Sequence, residues 1–235
     1  MRTAQPQSLP GSRQWTDGPR VNGAAVCGVR DWQNYASNPA KVWVKRQNGP
    51  GLRAVVYFQG CSLQCAKCWN PQTHKFRGIE TTALDVARRY EEARRLEPLE
   101  GATFSGGEPM QQAEELSELM REIRKAAPAA SLGMFTGYTE SELASGRFVT
   151  RLGAGVEQKW ELWRTIRELL DFAVMGRYDL TQPVIAPLRT SRNQRLVLFS
   201  SRYQEDDFGP QLVEISIEEG GKSTLTGFPV LGVPA

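Results

Sequence analysis

The chain carries one histidine and four cysteines in 235 residues, and no apolar run long enough to cross a bilayer. A single histidine leaves a Ser-His or His-based acid-base scheme little to work with. Four cysteines, three of them crowded into one short segment, do not make the stapled framework of a small secreted domain. An excess of one charge is also missing. The 29 basic and 26 acidic residues leave a net charge of +3, too balanced to argue for a nucleic-acid partner. Residues 1–23 have no apolar segment of the kind that opens a secretory signal, and their Pro, Gln, Ser and Gly content predicts a flexible leader. No internal repeat is visible. These absences give the expectation of a cytoplasmic protein with no membrane and no nucleic-acid partner. Its 40% hydrophobic and 23% charged residues suit one core, expected over residues 24–235.

What the chain does have is the spacing Cys61-x3-Cys65-x2-Cys68, within Phe58-Gln59-Gly60-Cys61-Ser62-Leu63-Gln64-Cys65-Ala66-Lys67-Cys68-Trp69-Asn70-Pro71. Three thiolates can hold three irons of a cubane cluster and leave the fourth open to a small molecule. A structural zinc site usually needs four Cys or His ligands in two close pairs. Only Cys27 and His74 remain to supply them, and neither makes a second pair. A ferredoxin would want a fourth cysteine for its last iron. Cys27 reads as a small core hydrophobe. A zinc or iron-sulfur interaction module stays open as the reading without catalysis. Downstream, Thr103-Phe104-Ser105-Gly106-Gly107-Glu108-Pro109 combines two glycines, which let a backbone turn sharply and approach a ligand closely, with an anionic acceptor at Glu108.

Short apolar runs alternate with helical patterns, which predicts an α/β fold with a parallel sheet. Residues 52–58 form a β-rich run that ends just before the cysteines. A helix follows from a Thr82 cap, with Asp85 three residues on and apolar positions at Ala83, Val86, Ala87, Tyr90, Ala93 and Leu96. Its charges, as in Arg88-Arg89 and Arg94-Arg95, read as a solvated face. Residues 102–104 form a strand into the Gly-Gly-Glu segment, and Leu116, Leu119, Met120 and Ile123 mark the next helix. Residues 132–135 are a strand, Thr139 with Glu142 is a capping box, 160–170 a helix and 172–174 a strand. Both motifs then sit at carboxyl ends of strands, where functional loops gather in such sheets.

The cysteine loop and the Gly-Gly-Glu-Pro segment resemble the radical S-adenosylmethionine superfamily. Gly49-Pro50-Gly51-Leu52-Arg53, Thr136-Gly137-Tyr138-Thr139 and Ser191-Arg192-Asn193-Gln194-Arg195 are similar to the activating enzymes of glycyl radical enzymes, above all those of anaerobic ribonucleotide reductase. The likeness covers about residues 45–199 and leaves the tail, with Thr226-Gly227-Phe228-Pro229, less informative. It implies a partial, open (β/α) barrel with a 4Fe-4S cluster and S-adenosyl-L-methionine across its mouth.

Cys61, Cys65 and Cys68 are then the iron ligands, catalytic through the cluster. Lys67, Cys68 and Trp69 would line the adenine side, and Gly106, Gly107 and Glu108 would hold the methionine moiety. Thr136, Tyr138, Asn193 and Arg195 are further cofactor candidates. The implied chemistry is reductive cleavage of the cofactor to a 5'-deoxyadenosyl radical that takes hydrogen from a glycine of a large glycyl radical enzyme. A flavodoxin- or ferredoxin-type donor would supply the low-potential electron. The alternative target is a small molecule or a ribosomal peptide, with residues 176–187 or the leader as a lid. One departure stands out. Val174-Met175-Gly176-Arg177-Tyr178 places Met175 where those enzymes commonly carry an aspartate, and a thioether cannot replace a carboxylate as hydrogen-bond acceptor.

Overall fold

The computed structural model describes residues 13–14, 43–76, 79–209, 213–217 and 223–227; Cys27, most of the leader and Phe228-Pro229 lie outside them. In chain order the strands are β1 (Arg13–Gln14), β2 (Trp43–Lys45), β3 (Arg53–Phe58), β4 (Ile79–Glu80), β5 (Gly101–Gly106), β6 (Ser131–Thr136) and β7 (Phe172–Met175). They continue as β8 (Pro183–Ala186), β9 (Arg189–Ser191), β10 (Arg195–Leu198), β11 (Val213–Ile217) and β12 (Ser223–Gly227). The helices are α1 (Ala83–Leu96), α2 (Ala113–Ala126), α3 (Glu140–Ala144) and α4 (Val156–Leu169).

One six-stranded sheet dominates, in the order β10-β7-β6-β5-β3-β2. Neighbouring strands from β3 to β7 run parallel, whereas β2 and β10 flank them antiparallel. The pairs β1–β4, β8–β9 and β11–β12 form separate small ladders. In the parallel part each strand lies beside its predecessor, so right-handed crossovers all carry their helices to one face. The packing of α1 on α2 and of α2 on α4 is that layer.

Strand alternation divides the core. Ala54, Val56, Phe58, Ala102, Phe104, Leu132, Met134, Ala173 and Met175 point toward the helices and join their buried side chains in the larger cluster. Phe172 and Val174 point the other way, onto Leu188 and Phe208. The same second face holds Arg53, which is fully buried. Its guanidinium donates to Thr103 Oγ1 at 2.7 Å, Pro50 O at 3.1 Å, Ala102 O at 2.8 Å and Ser131 O at 3.0 Å, with the Phe172 ring centroid 5.0 Å away. Gly49-Pro50-Gly51 is thus the turn that leads into this buried cation, at the end of β3 opposite the cysteines.

The helices follow local rules closely. Thr82 Oγ1 accepts from Asp85 N at 3.1 Å, and Thr139 and Glu142 close a reciprocal capping box. The buried stripe of α1 is Ala83, Val86, Ala87 and Tyr90, so the periodic run assigned above is too long. Leu96 is 83% exposed. At about 100° per residue it lies about 220° round from Ala83, on the opposite face. Helix α4 begins at Val156, four residues before the expected start at Trp160. Among the described residues no helix is long and apolar enough to cross a membrane.

Candidate iron-sulfur site

The cysteine loop leaves the carboxyl end of β3 and is fixed at its root. Gly60 N donates to Thr73 O at 2.8 Å, and Cys61 N to His74 O at 3.0 Å. Gln59 Nε2 donates to Lys75 O at 2.6 Å. Further along, Gln64 and Lys67 adopt left-handed backbone, with φ of 48° and 56°. Such turns cost energy in residues with a Cβ and fold the loop back on itself, which brings Cys68 N to Cys65 O at 3.1 Å. Asn70 N donates to Cys68 Sγ at 3.4 Å.

All three cysteines are free thiols; Cys61 is buried, Cys65 and Cys68 half-buried. Burial and the nearby Glu108 charge push the Cys61 thiol up to about 11, against hydrogen bonds from the backbone N–H groups of Leu63 and Gln64 that favour its thiolate. Burial raises Cys68 as well. Loading a metal therefore displaces protons. Among the described residues no three His, Cys, Asp or Glu side chains converge on a point that would hold one metal ion. Ligands to separate irons of a cubane need not converge so. Three soft thiol donors on one loop, two of them open to approach, fit such a cluster.

The Gly-Gly-Glu segment lies against this loop. Gly107 N donates to Phe58 O at 2.7 Å, and Glu108 N to Gly60 O at 2.9 Å. This changes the reason for the glycines. A Cβ on Gly106 would stand 2.5 Å from Phe58 N, and one on Gly107 2.3 Å from Gly60 O. The close approach that excludes side chains is to the protein's own β3 end, before any ligand is considered.

Glu108, expected as an anionic acceptor for the methionine end, is a buried residue. It is 1% exposed and accepts from Met110 N at 2.9 Å, Thr136 Oγ1 at 2.8 Å and Gly137 N at 2.7 Å. Burial raises its carboxyl to about 7 in spite of those donors. Thr136 and Tyr138 are buried too, Thr136 on Glu108 and Tyr138 on Gln111 Nε2 at 2.9 Å. These three side chains brace the site from beneath.

The remaining candidates stay on the surface around it. Lys67 is exposed, and Trp69 is 37% exposed with its ring 6.0 Å from that of Tyr178. Asn193 donates to Arg177 O at 2.8 Å, and Arg195 pairs with Met175 across β10 and β7. Both therefore stand at the carboxyl end of β7, on the same edge of the sheet as the cysteine loop. Met175 itself is buried in the helix-facing core, so its thioether is committed to packing.

The motifs did not reveal Gln111 and Gln112. Both are fully buried in the turn Pro109–Gln112. Gln112 Nε2 donates to Gln59 O at 3.1 Å; Gln111 Oε1 accepts from Ser62 N at 2.9 Å and its Nε2 donates to Ser62 Oγ at 2.6 Å. A pair of amides after a Gly-Gly-Glu-Pro turn was the only available signal.

Comparison with known proteins adds the following. Residues 47–197 match the family described as a 4Fe-4S single cluster domain. The anaerobic ribonucleoside-triphosphate reductase-activating protein of Enterobacteria phage T4 is 25% identical over 151 residues, 63% of this chain and 85% of the relative. The protein of the same name from Escherichia coli (strain K12) is 28% identical over 145 residues, 58% of this chain and 90% of the relative. The pyruvate formate-lyase-activating enzyme of Clostridium pasteurianum is 40% identical over 80 residues, and the match spans about a third of each chain, 32%.

Proposed function

We propose, from the premise that this chain belongs to the 4Fe-4S single cluster domain family, that it is a radical S-adenosylmethionine enzyme that activates a partner glycyl radical enzyme. The observation that carries this is the placement of three free thiols on one loop, hydrogen-bonded to the Gly-Gly-Glu segment at the carboxyl edge of the parallel sheet. Relatives named as activating proteins of anaerobic ribonucleoside-triphosphate reductase and of pyruvate formate-lyase support the same reading.

Held by Cys61, Cys65 and Cys68, a 4Fe-4S cluster reduced by a flavodoxin- or ferredoxin-type donor would supply the one-electron chemistry for reductive cleavage of S-adenosyl-L-methionine. Every other contribution is the protein's. Cys61, Cys65 and Cys68 ligate iron, and the backbone of Gly106 and Gly107 is what the segment offers the methionine end. Hydrogen bonds from Gly107 N to Phe58 O and from Glu108 N to Gly60 O hold that backbone in place, and the bonded pair Glu108 and Thr136, with Tyr138, is buried beside it. Lys67 and Trp69, with Tyr178 beside it, border the adenine side, and Asn193 and Arg195 extend the rim toward cofactor or partner. The sheet is read as a partial barrel, with the cluster and the cofactor across its mouth at the carboxyl ends of the strands. The target is a glycine Cα–H presented by a large partner such as an anaerobic ribonucleotide reductase, in the reducing cytoplasm.

The test uses the anaerobically reconstituted protein, S-adenosylmethionine, a reductant and the organism's own candidate reductase deuterated at glycine Cα. The expected result is a paramagnetic doublet on the partner that collapses on deuteration, with deuterium appearing in 5'-deoxyadenosine. Formation of deoxyadenosine without a partner radical, together with a mass change in a small molecule or peptide, overturns the activating role in favour of a modifying one.

A further inference from the structure

Two consecutive amides bracket the most buried of the three thiols. Gln112 holds the carbonyl of Gln59, two residues before Cys61, and Gln111 holds both the N–H and the hydroxyl of Ser62, directly after it. Gln111 is fully buried, and its remaining N–H goes to the Tyr138 hydroxyl at 2.9 Å. That hydroxyl in turn accepts from Val149 N at 3.2 Å, while Gln111 O accepts from Arg151 N at 2.7 Å. Gln111 thus connects, through its side chain, the cysteine loop to Tyr138 just after β6 and, through its backbone carbonyl, both to the loop between α3 and α4.

The amide orientation is dictated by these partners. Ser62 N can only donate, so it must meet the amide oxygen, which leaves the nitrogen to face the two hydroxyls. Ser62 directly follows Cys61, so the Gln111 amide fixes the backbone on the carboxyl side of that cysteine while Gln112 fixes it on the amino side.

We infer that Gln111 is a positioning residue for the cluster: by holding Ser62 it locks the first turn of the cysteine loop and with it the place of the adjoining ligand Cys61. This rests on the iron-sulfur reading of the loop. Outer partners of a ligand set orient it and tune both its affinity and its potential. The Ser62–Gln111–Tyr138 chain is placed to do so without touching iron.

The test compares wild type with Gln111→Met, Gln111→Glu and the milder Tyr138→Phe, each reconstituted anaerobically with iron and sulfide. Iron per chain, the rate of iron loss to a chelator, the paramagnetic spectrum of the reduced cluster and its midpoint potential are measured. Gln111→Met is expected to lose iron on the order of tenfold faster, the scale seen when outer partners of metal ligands are removed. Its spectrum changes and its potential shifts from that of wild type. Gln111→Glu keeps an acceptor for Ser62 N and restores slow loss. Should Gln111→Met fail to fold, Tyr138→Phe, which deletes only the far hydroxyl, is expected to show the spectral change in weaker form. Variants that match wild type in loss rate, spectrum and potential overturn the inference while leaving the cluster assignment standing. Wild type that assembles no cluster overturns both.

Discussion

Gly107 stands so close to Gly60 that a Cβ on it would lie 2.3 Å from the Gly60 carbonyl oxygen, and the next residue's N–H, that of Glu108, bonds to that same oxygen at 2.9 Å. The segment that would receive the cofactor and the loop that would hold the cluster are therefore one mechanical unit.

Substitution at Gly107 tests that unit. Gly107→Ala is expected to force the two backbones apart, at a cost of about 1–3 kcal/mol. Both iron content after reconstitution and S-adenosylmethionine affinity should fall. Full iron content with weakened cofactor binding alone would mean that the glycine serves the ligand and not the loop.

The cysteines make a sharper prediction. Replacement of Cys61, Cys65 or Cys68 by Ala removes one of three ligands, and iron and sulfide analysis should show loss of the intact cluster in each case. Cys27→Ala, far from the loop in sequence, should retain it. Normal cluster content in any of the first three defeats the ligand assignment.

Glu108 should make the stability of the metal-free protein depend on pH. Its carboxyl is raised from 4.5 to about 7 in the folded state, so the folded protein binds the proton more tightly than the unfolded chain. The stabilisation this brings is fully present below about 4.5 and is lost as pH rises through about 7, a span of about 3 kcal/mol. Glu108→Gln sacrifices an acceptor for Gly137 N at every pH but cannot titrate. Denaturant unfolding from pH 5 to 8 should therefore show wild type losing stability relative to the variant. Parallel pH profiles would rule out the buried carboxyl as the source.

At the other end of the sheet, Arg53→Met is expected to destabilise the fold by about 3 kcal/mol or more. It leaves the Thr103 hydroxyl and the Ala102 and Ser131 carbonyls short of a buried donor. Thermal or denaturant unfolding measures this. A variant as stable as wild type would show that the network contributes nothing net.

Much of this architecture could be read along the chain because it is local. The Thr82 and Thr139 caps depend on residues three positions away, and the cysteine spacing lies within a single loop. What escaped depends on distant partners. Gln111 acquires its role from Ser62, 49 residues earlier, and Glu108 is buried only because Thr136 and Gly137 return beside it. Met175 shows the limit differently. Its neighbours in sequence suggested a place in the site, but strand alternation turns its side chain to the helices, and only the register of β7 settles which face it takes. The short strands β8 and β9 lack enough residues to show a period at all.

The antiparallel flanks of the main sheet have a further consequence. A run of helix–strand units can be wound into a ring only while each new strand continues in the same direction. Among the described residues chain direction reverses at both ends of the sheet, at β2 and at β10, so neither described border strand continues the parallel run. Among the described residues the parallel run is thus bounded on both sides by connectivity and not by a moving part.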